Sequence, residues 1–182
     1  MKLSLVILIL IVVPYVWGQT QVKWAKAGSS FYSLESGEIV EYSLPSLSRS
    51  VLVSREALTP LGGMGPIIIQ NYTFSHDLKN VLLFTDAKKV WRLNSRGDYW
   101  MLDRTRKQLK KLGASLPPSS LMFAKFSPDA NQVAYVSGYN LYVEDLVTSK
   151  ISALTTEGSR KNIFRTFDWA YEEEFDCRDG FQ

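Results

Sequence analysis

Short runs of alternating apolar and polar residues recur along most of this chain, and each run has the length of a β-strand. Three of the runs begin seven residues after an aromatic residue, namely Phe31 after Trp24, Val81 after Phe74 and Val133 after Phe126. The three aromatic residues are 50 and 52 residues apart. A unit of about 50 residues that repeats strands and turns in this way is typical of the blades of a β-propeller.

A second pair of strands follows each of these runs. In the second unit, Tyr99–Asp103 is followed by Leu109, and in the third unit Leu141–Asp145 is followed by Ile151 at a similar distance. The first unit repeats the arrangement less regularly. We therefore predict an all-β chain that forms an incomplete β-propeller of about two to three four-stranded blades. Since propellers close with about four to eight blades, this prediction implies that the chain is cut short at Gln182.

Two turns of the predicted repeat share a serine and an aspartate, in Phe74-Ser75-His76-Asp77 and Phe126-Ser127-Pro128-Asp129. Side chains of Ser and Asp favour such turns because they bond nearby backbone amides. Each aspartate is followed by a residue with a side chain, Leu78 or Ala130, where glycine is usual in related propellers. We expect slight backbone strain there and no loss of the fold.

The second unit is longer than the third. Phe74 and Asp103 are 29 residues apart, whereas Phe126 and Asp145 are 19 residues apart. The extra residues lie between Asp86 and Asp98 and include the pair Trp91-Arg92. An insertion between the strands of a blade projects from the propeller, and such segments often carry function.

The beginning of the chain predicts an export signal. Lys2 precedes the apolar run Leu3–Val13, and a tolerable cleavage site follows at Gly18. A bilayer span needs about 20 apolar residues, so a cleaved signal peptide over residues 1–18 is favoured over a membrane anchor. The mature protein, residues 19–182, would then be periplasmic or secreted.

Composition and charge narrow the function classes. Hydrophobic residues make up 46% of the chain and aromatic residues 13%, which fits a folded globular protein. The net charge is +3, and one basic cluster stands out, between Arg104 and Lys111. We interpret this cluster as a solvated strand edge or turn. It is too short for a nucleic-acid-binding face, so no nucleic-acid partner is expected.

An acidic cluster stands near the end of the chain, in a segment outside the repeat that runs from Phe167 through Glu172, Glu173 and Glu174 to Phe175. Three adjacent carboxylates between aromatic residues can hold an ammonium group. A run of glutamates is more often a solvated surface, and the residues alone leave both interpretations open. We predict a short helical insertion that carries this cluster.

The sequence contains no residues suited to catalysis, a metal or a cofactor. The Gly-x-Ser-x-Gly motif of α/β-hydrolases does not occur, and His76 and Cys177 are the only histidine and the only cysteine. A Ser-His-Asp triad would have to be built around His76, which lies in a turn, and one histidine and one cysteine cannot form a typical zinc site. We expect no catalytic residue, no metal ligand and no cofactor.

Several of these motifs together resemble the dipeptidyl peptidase IV family. The similarity runs from about Val22 to Gln182 and is carried by Val90-Trp91-Arg92, Asp98-Tyr99-Trp100, Phe126-Ser127-Pro128-Asp129, Leu141-Tyr142-Val143 and above all Asp168-Trp169-Ala170-Tyr171-Glu172-Glu173-Glu174. The last string is specific, whereas Ser-Pro-Asp turns recur in many propellers.

The resemblance implies an eight-bladed propeller followed by an α/β-hydrolase domain that supplies the catalytic triad. Members of the family remove dipeptides from peptide N-termini and prefer proline or alanine at the second position. By this resemblance Glu173 and Glu174 bind the free α-ammonium of the substrate, and Arg92 contacts a backbone carbonyl of the substrate.

The leading hypothesis is the propeller portion of an exported serine dipeptidyl peptidase, which recognises the substrate N-terminus, gates access and is not catalytic by itself. Its partners would be peptide N-termini, a C-terminal hydrolase domain and, in a full-length form, a second copy of the chain. Two alternatives remain: a stand-alone module that binds peptides or proteins, and a gene remnant without function.

Overall fold

The computed structural model describes residues 22–181, and within them the chain forms three antiparallel four-stranded units and one short helix. The first unit contains β1 (Lys23–Trp24), β2 (Ser30–Glu35), β3 (Glu38–Ser43) and β4 (Ser48–Val53). The second contains β5 (Asn71–Phe74), β6 (Asn80–Val90), β7 (Leu93–Asp103) and β8 (Gln108–Lys111). The third contains β9 (Leu121–Phe126), β10 (Gln132–Ser137), β11 (Asn140–Asp145) and β12 (Ile151–Ala153), and α1 (Trp169–Phe175) follows it.

The order of the strands is that of consecutive propeller blades. The first unit is a sheet in the order β1-β2-β3-β4, and the second repeats this order from β5 to β8. Because β7 also pairs with β9 at Gly97 and Leu121, the second and third units form one eight-stranded sheet. The predicted all-β, incomplete propeller is confirmed, with three four-stranded blades, and the glutamate cluster lies on a short helix as expected.

Gly97 permits a close approach between β6 and β7 of the second blade. A Cβ atom there would lie 2.5 Å from the carbonyl oxygen of Thr85 and 2.6 Å from the ring of Phe84. No side chain fits at such distances without a shift of backbone. The glycine therefore lets β7 approach β6 closely within the second blade, at the point where β7 also pairs with β9.

Two hydrophobic clusters lie between neighbouring blades. The first joins the first and second blades through Tyr32, Ile39, Val53, Leu58, Tyr72, Val81, Leu83 and Leu102. The second joins the second and third blades through Leu82, Met101, Leu112, Leu121, Val133 and Tyr135. Successive side chains of β6 point to opposite clusters, Val81 and Leu83 to the first and Leu82 to the second. The stretch Val81–Phe84 is therefore uninterruptedly apolar, as expected for a strand buried on both faces.

The serine–aspartate turns form as the sequence predicts. Asp77 Oδ1 accepts hydrogen bonds from Ser75 Oγ at 2.7 Å and from the backbone N–H of Lys79 at 3.1 Å. These bonds lower the pKa of Asp77 to about 2 because they favour the charged carboxylate. Leu78 and Ala130 have φ angles of 60° and 57°. This left-handed conformation is unfavourable for residues with a side chain, in agreement with the expected strain.

The basic cluster lies in a turn and on the edge strand β8, and two of its members also form ion pairs. Lys111 Nζ lies 2.7 Å from Asp98, and Lys110 Nζ lies 3.0 Å from Glu144 in an ion pair without hydrogen-bond geometry. Glu144 is almost fully buried. The two lysines bind carboxylates that no short sequence window could associate with them.

The inserted residues of the second blade extend its central hairpin. They lengthen β6 and β7 to 11 residues each, and the chain reverses at Trp91 and Arg92. The insertion is therefore a regular two-stranded projection with Arg92 at its tip. The predicted export signal over residues 1–18 lies outside the described residues. Within residues 22–181, no helix has the length and apolar character needed to cross a bilayer.

Candidate ligand-binding site

The helix α1 owes its start to Asp168. Asp168 Oδ1 accepts hydrogen bonds from the backbone N–H groups of Ala170 at 3.0 Å and Tyr171 at 3.2 Å. An aspartate at this position satisfies amides that have no partner within the helix. The helix ends at Asp176, whose φ of 51° lets Cys177 N–H donate to the carbonyl of Tyr171 at 3.0 Å. Since an isolated seven-residue helix is unstable in water, α1 depends on its caps and its contacts.

The segment that carries α1 is tied back to the third blade. Thr166 and Asp179 form an antiparallel bridge that closes the segment, and Arg165 donates to the carbonyl of Gly180 at 3.1 Å. Lys125 of β9 forms an ion pair with Asp179 and donates to the carbonyl of Phe181 at 2.7 Å. These contacts fix the orientation of α1 relative to the blade.

Arg92 and Glu173 meet although they come from distant parts of the sequence. Arg92 Nε lies 2.7 Å from Glu173 Oε1, which joins the tip of the β6–β7 hairpin to α1. The Arg92 side chain is 77% exposed, and the Glu173 side chain is only 15% exposed. An exposed ion pair contributes less than about 1 kcal/mol to stability. Its main effect is therefore to orient the Glu173 carboxylate at a place that solvent can reach.

The other two glutamates differ in environment. Glu174 is exposed on α1 and forms no ion pair with the described residues. Glu172 is buried, as expected for a side chain that points away from its neighbours on a helix. The structure therefore brings together two of the three predicted site residues, Arg92 and Glu173, and leaves Glu174 beside them on the helix, free to reorient.

Aromatic side chains lie along one side of α1. The rings of Phe167 and Tyr171 are 5.3 Å apart and nearly parallel, and those of Tyr171 and Phe175 are 5.8 Å apart. Tyr171 and Phe175 are four residues apart and so lie on one face of α1, and Phe167 stacks on Tyr171 from just before the helix. They stiffen the segment that presents the glutamates.

The arrangement is suited to a ligand that carries a cationic group close to a hydrogen-bond acceptor of its own. Two adjacent carboxylates favour a group with several N–H donors, such as a primary ammonium. The remaining N–H groups of Arg92 are available to a carbonyl oxygen on the same ligand. Within the described residues, no group of three His, Cys, Asp or Glu side chains could hold a metal ion.

No sequence pattern indicates Lys125 and Asp179, which anchor the segment that carries α1. Lys125 lies in an ordinary strand pattern, and its partner Asp179 lies outside every repeat. Asp168, in contrast, can be recognised from the sequence, because aspartate is a common residue immediately before the first turn of a helix.

The fold defines the class of this chain, a propeller module. The tip of its extended hairpin contacts a short helix that follows the third blade. The family model of the dipeptidyl peptidase IV (DPP IV) N-terminal region matches residues 75–182. This match includes the hairpin, α1, the third blade and the second blade from β6 onward. The chain belongs to the dipeptidyl peptidase IV family, as a part of its N-terminal region.

Known proteins agree with this assignment. The chain is 36% identical over 100 residues to a probable dipeptidyl-aminopeptidase B of Trichophyton verrucosum, an alignment that covers 55% of this chain and 11% of the relative. It is 32% identical over 125 residues to the corresponding protein of Aspergillus fumigatus, which covers 69% of this chain and 14% of that protein. The chain therefore spans about a tenth of the length of these curated relatives.

A solved structure supports the fold. The crystal structure of Porphyromonas gingivalis dipeptidyl peptidase 4 superposes with a TM-score of 0.73 at 26% sequence identity. The superposition covers 88% of this chain and 23% of that protein.

Replacing Asp168 by alanine tests whether the start of α1 positions the site. We expect a loss of about 1 kcal/mol of stability from the missing cap and a several-fold weaker affinity for any ligand of Glu173, although Asp168 itself does not contact the ligand. Thermal unfolding and calorimetric titration would measure both effects. Asp168→Asn is the control, because asparagine keeps the cap and removes the charge. Equal ligand affinity in the alanine and asparagine variants would contradict a positioning role.

Proposed function

We propose that this region recognises the free N-terminus of a peptide substrate on behalf of an exported serine dipeptidyl peptidase. Glu173 and Glu174 hold the α-ammonium of the substrate, and Arg92 donates to its first backbone carbonyl. The single observation that carries the proposal is the contact of 2.7 Å between Arg92 and Glu173, which places a cationic donor and an anionic acceptor side by side.

The N-terminal residue of a peptide carries the two groups that such a pair can bind. An α-ammonium and the carbonyl of the same residue are only a few bonds apart, so one residue can contact a carboxylate and a neighbouring guanidinium together. A peptide anchored in this way can extend only a fixed number of residues toward a nucleophile. Removal of dipeptides, instead of cleavage within the chain, then follows from geometry.

The remainder of the proposal concerns the longer protein. The relatives are named dipeptidyl-aminopeptidase or dipeptidyl peptidase, and we propose the same class of reaction here, with removal of Xaa-Pro or Xaa-Ala dipeptides. An α/β-hydrolase domain would supply the Ser-Asp-His triad, and the propeller would limit access to it. Export by a cleaved signal peptide and assembly of two copies belong to the same proposal.

Calorimetric titration of the 182-residue chain with Ala-Pro amide and with N-acetyl-Ala-Pro amide tests the proposed function. Acetylation removes the positive charge and two N–H donors while it keeps the rest of the ligand. We expect binding of the free amine and a loss of at least about tenfold on acetylation, since hydrogen bonds to charged groups contribute about 1.5–3 kcal/mol. Equal affinity for the two peptides would contradict the proposal.

The pH dependence of binding follows from the ligand. An α-ammonium has a pKa near 7.7–8.0, and carboxylates that bind it raise this pKa in the complex. A raised pKa means that affinity is greatest below pH 7.7 and falls about tenfold per unit at pH values above the free pKa. Titrations between pH 6 and 10 would show this slope, and a flat profile would exclude the ammonium as the bound group.

Replacing Arg92 by alanine is expected to weaken dipeptide binding roughly tenfold, because one charge-assisted hydrogen bond and the support of Glu173 are lost together. Arg106→Ala is the matched control. Arg106 is similarly exposed, at 74%, and forms an ion pair with Asp103 in a different turn. If the two variants bound the dipeptide with wild-type affinity, Arg92 would have no part in the site.

A further inference from the structure

A cavity of about 270 Å³ lies between the β6–β7 hairpin, the third blade and the segment that carries α1. Its walls are mainly apolar and include Val90, Met122, Phe123, Val136, Ile163 and Phe167. Neither Arg92 nor Glu173 nor Glu174 lines this cavity. It is therefore a separate space from the candidate ammonium site, although both are bordered by residues of α1.

Glu172 gives this apolar cavity a negative charge without a partner. The residue lines the cavity and is only 8% exposed, and its Oε1 atom is buried with no hydrogen-bond partner among residues 22–181. A buried carboxylate oxygen in this condition is unfavourable, because its desolvation is not compensated by a donor. A ligand that brings an N–H donor into the cavity would remove this penalty.

Arg96 brings a positive charge to the same cavity. Its side chain forms no ion pair or hydrogen bond within the part of the chain that the structure describes, and it does not contact Glu172. The residue directly opposite Arg96 on β6 is Lys88, and like charges in this arrangement destabilise a pair of strands. An anionic group in the cavity would therefore be favourable beside Arg96.

The two other charged residues in the wall already have partners. Asp168 uses its Oδ1 atom to cap α1, and Arg178 donates to Asp176 at 2.7 Å. One carboxylate and one guanidinium without partners thus border a single apolar cavity without pairing with each other.

We infer that this cavity binds a small zwitterion with an apolar body, namely a free apolar amino acid. Its ammonium group donates to Glu172, its carboxylate accepts from Arg96, and its side chain lies against the apolar walls. With roughly 30 Å³ per water, the cavity has room for about nine non-hydrogen atoms, which is close to the size of leucine. The inference does not rest on the proposed function, because none of the residues of the ammonium site takes part.

Calorimetric titration of the 182-residue chain with leucine, isoamylamine and isocaproate measures the contribution of each charge. The three ligands share one branched apolar body, but isoamylamine lacks the carboxylate and isocaproate lacks the ammonium. We expect leucine to bind about tenfold more tightly than either analogue, since each analogue loses one charge-assisted interaction. Equal affinity for leucine and one analogue would overturn the zwitterion assignment, and no binding of leucine would overturn the site altogether.

Two variants assign the charges to residues. Glu172→Gln should weaken leucine and isoamylamine about tenfold and leave isocaproate unchanged. Arg96→Gln should weaken leucine and isocaproate and leave isoamylamine unchanged. Glu157→Gln and Arg106→Gln are the controls, because both residues are exposed and lie outside the cavity. A loss by the same factor for all three ligands in either variant would indicate structural damage and contradict this assignment.

Glu174→Gln separates the inference from the proposed function, because leucine also carries a free α-ammonium group. This variant should keep its affinity for leucine and lose affinity for Ala-Pro amide, and leucine at saturation should not displace Ala-Pro amide. Equal losses for the two ligands, or displacement, would place leucine at the ammonium site and overturn the cavity assignment alone. A chain that binds leucine but not Ala-Pro amide would contradict the proposed function alone.

A further variant tests the cavity itself. Ile163 is 42% exposed and lines the cavity, so Ile163→Trp should fill it without disturbing the buried core. We expect this variant to bind leucine several-fold more weakly. Ile68→Trp is the control, because Ile68 is 82% exposed and lies outside the cavity. An unchanged affinity for leucine in Ile163→Trp would place the ligand elsewhere and overturn the inference.

Discussion

Replacing Glu173 or Glu174 by glutamine is expected to weaken the binding of Ala-Pro amide about 10-fold to 100-fold. Each substitution keeps the shape of the side chain and removes one negative charge from the ammonium site. Hydrogen bonds to a charged group contribute about 1.5–3 kcal/mol, and every 1.4 kcal/mol corresponds to a factor of ten in affinity. Calorimetric titration of the chain measures the effect directly. In a peptidase that carries this region, kcat/KM for substrates with free N-termini should fall by a similar factor.

The two glutamates should differ in one respect. Glu173 is held by Arg92, so Glu173→Gln also weakens the link between the hairpin and α1, whereas Glu174 forms no ion pair with the described residues. Glu157→Gln is the control, because Glu157 is an exposed glutamate of the preceding link. Wild-type affinity in both Glu173→Gln and Glu174→Gln would refute the assignment of the ammonium site.

Replacing Glu144 by alanine is expected to destabilise the chain by about 3–5 kcal/mol, the usual loss when one partner of a buried ion pair is removed. The Glu144 side chain is 2% exposed and lies 3.0 Å from Lys110. It also accepts hydrogen bonds from Gly113 N–H at 2.9 Å and from Tyr135 O–H at 3.0 Å. Burial, together with the negative charge of Glu144, raises the pKa of Tyr135, so the tyrosine remains a donor at neutral pH. Alanine would leave Gly113 N–H and Tyr135 O–H without an acceptor and Lys110 without its charge partner.

Urea denaturation would measure the effect of Glu144→Ala on the free energy of unfolding. Glu144→Gln should cost less, since glutamine can still accept the bonds from Gly113 and Tyr135. Lys79→Ala is the surface control, because the side chains of Lys79 and of its ion-pair partner Asp77 are both exposed. Loss of this ion pair should change the free energy of unfolding by less than about 1 kcal/mol. A loss that small for Glu144→Ala would show that the second and third blades do not depend on this network.

The repeat of aromatic residues, turns and strands was predictable because it depends on local chemistry. The strands begin where the spacing from Trp24, Phe74 and Phe126 places them. The serine–aspartate turns also form through bonds within a few residues, which a sequence window contains. The extended hairpin between Asp86 and Asp98 was visible as extra length relative to the third unit.

The interactions between blades were not predictable, since they join residues that are distant in sequence. Lys110 and Lys111 have the pattern of a solvated turn until Glu144 and Asp98 pack against them. The pairing of β7 with β9, at Gly97 and Leu121, joins two blades and has no counterpart in a local sequence pattern.

The candidate site was predictable in its residues and less so in its geometry. The resemblance to the dipeptidyl peptidase IV family indicated Arg92, Glu173 and Glu174, but not that Arg92 contacts Glu173. The burial of Glu172 in an apolar cavity follows from the rotation of α1, which Asp168 and the anchor at Lys125 set. Those contacts arise because the segment that carries α1 packs on the third blade.

A crystal structure of the chain with Ala-Pro amide would test the proposed N-terminus site most directly. We predict that the α-nitrogen of the ligand lies about 2.7–3.2 Å from carboxylate oxygens of both Glu173 and Glu174, with Arg92 donating to the first carbonyl. A dipeptide bound elsewhere, or bound with its α-nitrogen directed away from the two glutamates, would contradict the proposed function.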